Sequence, residues 1–154
     1  MDSKLNHFTF TKRAIPLYPN YRPMYKISLI LMILYLNGYN GKASLLKLHL
    51  FSWALKSPDN LDALKHFAIS NQKRGINFFG IELTLNRALH LAIAEGLVEY
   101  IEEKYGLLPK GNNFINDILK NKDLFVYEKQ VLKLIGKKIT DKKMNDLKNI
   151  WNNA

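Results

Sequence analysis

Apolar positions divide this chain into helical and strand-like stretches. Leu85, Ala88, Leu89, Ala92 and Ile93 recur at i, i+3, i+4, i+7 and i+8, which gathers them on one face of a helix. Gly96 ends that stretch, as glycine does at the left-handed position just past a helix. Leu97 to Ile101 is a short β-prone run, and Glu102 to Gly106 follows it as a turn. Leu107-Leu108-Pro109 returns, Lys110-Gly111 turns again, and Phe114 to Leu119 starts another helix.

Upstream, Tyr25 to Leu36 is apolar nearly all round, the pattern of a helix in the middle of a domain. Asn37-Gly38 and Asn40-Gly41 mark a turn, and Ser44 is placed to cap the next helix. That helix carries Leu45, Leu46, Leu48, Phe51, Ala54 and Leu55 and runs to Ser57-Pro58. Asp59 or Asn60 is expected to cap a shorter helix through Leu61, Leu64, Phe67 and Ala68. Asn71 to Gly75 is a polar, basic loop, and Ile76 to Ile81 a short strand or turn. Downstream, Leu124, Val131, Leu134 and Ile135 form an apolar set that stops at Gly136. Thr140 or Asp141 then caps a last helix with Met144, Leu147 and Trp151 on one side and lysines on the other. This C-terminal pair of helices either packs back on the domain or forms a docking or dimerisation arm.

Before all of this, Pro16, Pro19 and Pro23 hold residues 9–25 extended, because each removes a backbone donor and turns its predecessor away from helix. Tyrosines and cations interleave there, among them Lys12, Arg13, Tyr18, Tyr21 and Arg22. Such a segment could lie over the domain surface, stack on bases or dock on a partner. Three regions result: an extended segment over 1–24, a domain over 25–120 and a helical pair over 121–154.

Composition narrows the function. A length of 154 residues suits one domain, and 47% hydrophobic residues are enough for a filled core. Cysteine is absent, which rules out disulfides and thiolate metal sites. The first residues lack the basic start and apolar core of a signal peptide, so a soluble, cytoplasmic protein without membrane association is expected. The net charge of +10 points to nucleic acid or an acidic partner. Its distribution works against a simple version of that idea. Residues 1–80 hold eleven Lys/Arg against three Asp/Glu (+8), residues 119–154 hold nine against four (+5), and residues 81–118 hold three against six (−3).

Candidate chemistry is sparse. Gly41-Lys42-Ala43-Ser44 resembles the end of a phosphate-binding loop, but Leu36 stands where its first glycine belongs and Ala43 replaces the magnesium-binding hydroxyl. The four histidines His7, His49, His66 and His90 lack metal-ligand spacing, and no G-x-S-x-G nucleophile turn occurs. A non-enzymatic protein without metal, cofactor or small-molecule ligand is therefore expected.

The order helix, strand-like run, turn, returning run, helix over residues 83–118 is that of recognition helix and wing in a winged helix-turn-helix. The expected fold class is mainly α with a small β-hairpin wing. Asn86, Arg87, His90 and Thr84 should then be the exposed residues of the recognition helix, with Arg87 suited to guanine and Asn86 to adenine. The same surface carries Glu82 and Glu95, and the wing carries Glu99, Glu102 and Glu103 with Lys104 as its lone tip cation. Like-charge approach to phosphate costs affinity, so this face suits a protein better than DNA. Lys12, Arg13, Arg22, Lys73, Arg74 and Arg87 are the candidates for touching nucleic acid or an acidic partner, and Tyr18, Tyr21, Glu99, Glu102 and Glu103 for docking protein.

The stretches "YKISLILMILYLNGYNGKASLLKLHLFSWAL", "LTLNRALHLAIAEGLVEY" and "YGLLPKGNNFINDIL" together resemble the winged-helix middle component of bacterial three-component ABC-ATPase systems of the Lamassu anti-phage type. The resemblance implies an adaptor without catalytic residues, bound to an SMC- or Rad50-like ATPase and a further effector subunit, with DNA contact within the complex. A dimeric DNA-binding transcriptional regulator is the other expectation.

Overall fold

The computed structural model describes residues 23–70, 76 and 82–152. Helix α1 (Pro23–Asn37) is the axis of the fold. Its residues Ile27 and Leu29 to Leu34 are at most 2% exposed, so over that stretch no side of the helix is left for water and the all-round apolar pattern is explained, while Tyr35 near its end is 41% exposed. It packs against α2 (Leu45–Ala54), α4 (Leu83–Ala94), α5 (Pro109–Lys120) and α6 (Val126–Ile135). At roughly 1.5–3 kcal/mol per buried Leu or Ile, this one helix supplies much of the driving force for collapse. Pro23 opens α1 rather than holding an extended segment, since a proline at the first helical position lacks only a donor that would be orphaned anyway.

Helix α3 (Pro58–Ser70) follows α2, and three short strands complete the set with α7 (Asp141–Asn152): β1 (Lys42–Ala43), β2 (Val98–Ile101) and β3 (Lys104–Leu107). The strands form an antiparallel sheet in the order β1-β3-β2. Ala43 pairs with Tyr105, and Tyr105 pairs on its other side with Tyr100. The protein is thus mainly helical with a small three-stranded antiparallel sheet.

Local chemistry fixes the element ends. Ser44 accepts a hydrogen bond from the Lys47 N–H and caps α2 as expected. Ser57, not Asp59 or Asn60, caps α3, by accepting from the Asn60 N–H. Thr140 accepts from the Lys143 N–H and caps α7. After α4, Gly96 has φ +75°, the Leu97 N–H reaches the Ala92 carbonyl at 2.9 Å and the Gly96 N–H the Ile93 carbonyl at 3.0 Å. These are the two bonds of a Schellman stop. Lys110-Gly111 is not a second turn: Pro109 sits at the first turn of α5, which begins five residues before Phe114.

Helices α6 and α7 fold back on the core, to which the C-terminal region gives Leu132, Ile135, Ile139, Met144 and Leu147. Leu132 rather than Leu134 faces inward, and Leu134 is 58% exposed. Side-chain hydrogen bonds lock this docking. Asn37 donates to the Leu132 and Gly136 carbonyls at the end of α6, and the Tyr25 hydroxyl donates to Glu128 at 2.9 Å. Burial and the adjacent Glu128 carboxylate push the Tyr25 phenol well above its ordinary pKa. Two lysines serve the same end. Lys129 donates to the Ile118 and Asn121 carbonyls at the end of α5, and Lys143 to the Phe67 and Ala68 carbonyls in the last turns of α3. Each places a cation where the helix dipole is negative.

Candidate partner-binding face

Helix α4 begins with its N-terminus pinned to the core. Glu82 occupies the N-cap position, but its side chain makes no cap bond and turns inward. There the Lys26 Nζ lies 2.7 Å from Glu82 Oε2, the Ser52 hydroxyl donates to Oε1 at 2.6 Å and the Thr84 hydroxyl donates to Oε2 at 3.0 Å. Lys56 approaches the same oxygen at 3.4 Å. Burial works to raise the Glu82 pKa, but the bonds from Lys26 and Ser52 and the charges of Lys26 and Lys56 outweigh it and hold the carboxyl at about 2. His49 completes the clamp. Its Nδ1 accepts from the Glu82 backbone N–H, which leaves the proton on Nε2 to donate to Asn86 Oδ1 at 3.2 Å. Burial lowers the His49 pKa, in keeping with this neutral ring.

This clamp changes the reading of the surface. Glu82 is no part of an exposed acidic face, because two cations from the basic N-terminal half neutralise it. Thr84 and Asn86, expected to be exposed, are half-buried and committed to Glu82 and His49. Arg87 and His90 do face solvent. They share that side with apolar groups: Leu83 is 67% exposed and Leu91 44%. Ile93, expected in the core, is 39% exposed, because Ala92 takes the inward position at the end of the helix.

The β2–β3 hairpin forms the second part of the face. Ile101 pairs directly with Lys104, so the turn holds Glu102 and Glu103 alone and is shorter than the expected five residues. Both glutamates have positive φ, 55° and 63°, as a two-residue type I′ turn requires. Asn-Gly is the sequence that meets this at least cost, and a side chain in the left-handed region loses roughly 1–2 kcal/mol. The double substitution Glu102→Asn/Glu103→Gly should therefore stabilise the fold by about 1–2 kcal/mol. A denaturation midpoint equal to or below that of the parent chain would show that the turn is not strained.

Lys104 does not soften the acidity of the tip. Its Nζ lies 2.7 Å from Asp141 at the start of α7, which commits the cation to that carboxylate and not to Glu102 or Glu103. Glu102 and Glu103 are fully at the surface and Glu99 is half-buried on the edge strand β2. Beside them Tyr100 and Ile101 are each 53% exposed, and the Tyr100 ring packs on Tyr105 with centroids 4.7 Å apart. These two apolar residues were not marked as surface groups in the sequence, where they belong to a short β-prone run. The break in alternation shows why, since two successive outward residues occur where the strand leaves the core.

Of the candidate residues, the structure brings Glu99, Glu102 and Glu103 together on the hairpin. Arg87 stands apart on α4 and, among the described residues, joins no hydrogen bond or ion pair with them. Lys12, Arg13, Tyr18, Tyr21, Arg22, Lys73 and Arg74 lie outside the described residues. Among the described residues no helix is long and apolar enough to cross a membrane. In comparisons with known proteins, no family model, no curated protein and no solved structure matches the chain.

Proposed function

We propose that this protein is a winged-helix adaptor that grips another protein through α4 and the β2–β3 wing. The observation that carries the proposal is the character of that face: a hairpin tip with two glutamates whose nearby lysine is paired with Asp141, flanked by exposed Leu83, Leu91, Tyr100 and Ile101. Phosphate repels such a tip, whereas apolar groups rimmed by charge suit a protein surface. The winged-helix reading draws support from the strand order β1-β3-β2, with α4 just before the hairpin as a recognition helix would be. α3 then stands as an additional helix before the recognition helix.

The sequence resemblance suggests the setting, an SMC-like ABC-ATPase complex in anti-phage or anti-plasmid defence with a further effector subunit. The exposed Arg87 and His90 favour a second reading, a dimeric DNA-binding regulator. Co-purification of the tagged protein from its host, with and without nuclease, separates them. A large ATPase recovered at fixed stoichiometry despite nuclease, and lost from a Leu91→Glu/Tyr100→Glu variant that folds normally, is the expected outcome. Sequence-specific duplex binding by the isolated chain, abolished by Arg87→Ala, would replace the adaptor with the regulator.

A further inference from the structure

Among the described residues three lysines are buried and a fourth, Lys143, is half-buried, and three of the four have evident partners. Lys26 meets Glu82, Lys129 meets two helix-end carbonyls, and Lys143, although half-buried, meets two more; the remaining buried lysine, Lys47 on α2, is 3% exposed. Among the described residues its ammonium has no hydrogen bond and no ion pair. The aliphatic stem is thus packed away while the unpaired ammonium is left to the cavity it lines, where a ligand can reach it.

Lys47 lines a cavity of about 240 Å³ between the end of α1, the start of α2 and the loop that leads into α7. Lys137 and the Thr140 hydroxyl line it too, as does Asp141. Asp141 favours the Lys47 ammonium through its charge but makes its ion pair with Lys104, at 2.7 Å. The charged groups acting on Lys47 are Asp141, Lys104 and Lys137. Counting Lys47 itself, three cations face one carboxylate, a local charge of +2. A phosphomonoester carries about −1.5 to −2 near neutral pH and offers three acceptor oxygens, which matches both the charge and the donors. Lys137 also lines a second, more polar cavity of about 440 Å³, with Tyr35 and Asn112. Tyr39, on the rim of the first cavity, is 70% exposed and presents a ring to which a planar group can stack.

We infer that the cleft between α1, α2 and the α6–α7 loop binds a small phosphomonoester of nucleotide size. Its phosphate lies between Lys47 and Lys137, and its organic body extends past Lys137 along the tyrosines. The site lies on different elements from the α4–wing face and does not rest on the adaptor reading.

The test is a titration of the full chain, followed by amide NMR shifts and calorimetry, with AMP, inorganic phosphate and adenosine as probes. AMP should bind saturably and shift the signals of Tyr39, Lys47 and Thr140. Inorganic phosphate should bind at the same place more weakly, and adenosine should not bind. Lys137→Ala, at an exposed position, and Lys47→Met should each weaken AMP at least tenfold. Lys47→Met should leave the free protein about as stable as before, because it keeps the buried stem and breaks no hydrogen bond or ion pair. Adenosine binding as well as AMP, unchanged AMP affinity in both variants, or no saturation with AMP by about 10 mM would each overturn the assignment.

Discussion

Replacing Glu82 with glutamine should cost the fold about 3 kcal/mol near neutral pH, and the deficit should fade in acid. The magnitude follows from the carboxyl, which moves from an ordinary value of 4.5 to about 2 on folding, at about 1.4 kcal/mol per pH unit. The sign is that of a depressed acid. Its contribution is complete above pH 4.5 and is lost as the pH falls from there toward 2. Denaturation curves of parent and Glu82→Gln proteins at pH 7 and pH 3 provide the measurement. A difference that stays constant between the two would mean that Glu82 is not ionised beside Lys26. The partner substitution Lys26→Met should be at least as severe, on the order of 3–5 kcal/mol, since it strands a carboxylate at a mostly buried position. Changing both residues to apolar ones, Lys26→Met with Glu82→Leu, should cost clearly less than the two single effects added together, because neither charge is then left behind. Part of the damage in the singles should appear in α4, whose first turn loses its anchor.

Gly111→Ala is the second large effect, on the order of 3 kcal/mol, from overpacking that forces the backbone apart. A Cβ on Gly111 would lie 2.2 Å from the Leu97 carbonyl oxygen. That oxygen already accepts the Leu108 N–H at 3.0 Å, so it cannot move without breaking the bond that ties the hairpin exit to its entrance. The glycine is needed for closeness here and not for an unusual φ. Thermal unfolding of Gly111→Ala beside Gly96→Ala distinguishes the two uses of glycine. The Gly96 variant meets no atom within 4 Å and bears only the strain of φ +75°, about 1 kcal/mol. Equal losses in the two variants would show that α5 can shift away from Leu97.

These two sites also show what can be read from a sequence and what cannot. The all-round apolar run of α1, the Ser44 cap and the Gly96 stop were legible because each depends on neighbours along the chain. The hairpin was legible for the same reason, although its turn is two residues and not five. Strand β1 was missed, since two residues carry no periodicity and Lys42–Ala43 is a strand only because β3 lies beside it. Leu132 and Leu134 exchanged places because a helix of ten residues admits more than one apolar face until its neighbours choose. The clamp around Glu82 was beyond reach. Lys26 and Ser52 come from other helices, and nothing local shows that a glutamate at a helix start turns away from solvent. The acidity assigned to residues 81–118 was accordingly overstated at Glu82, whereas the hairpin glutamates stayed where the pattern had put them.

The use of lysines as interior fasteners has a consequence for amine chemistry. Lys26 and Lys129 are 1% and 8% exposed with their ammonium groups engaged in the interior, so acylating reagents and lysine-directed cross-linkers reach them only when the fold opens. Labelling of the folded protein will concentrate on the remaining surface amines, and distance maps of any assembly will be drawn from those. Conversely, slow modification at Lys129 reports release of α6 from the end of α5, and modification at Lys26 reports the opening of the α4 anchor. The same residues that make the chain strongly basic on paper thus serve as internal timers of its local unfolding.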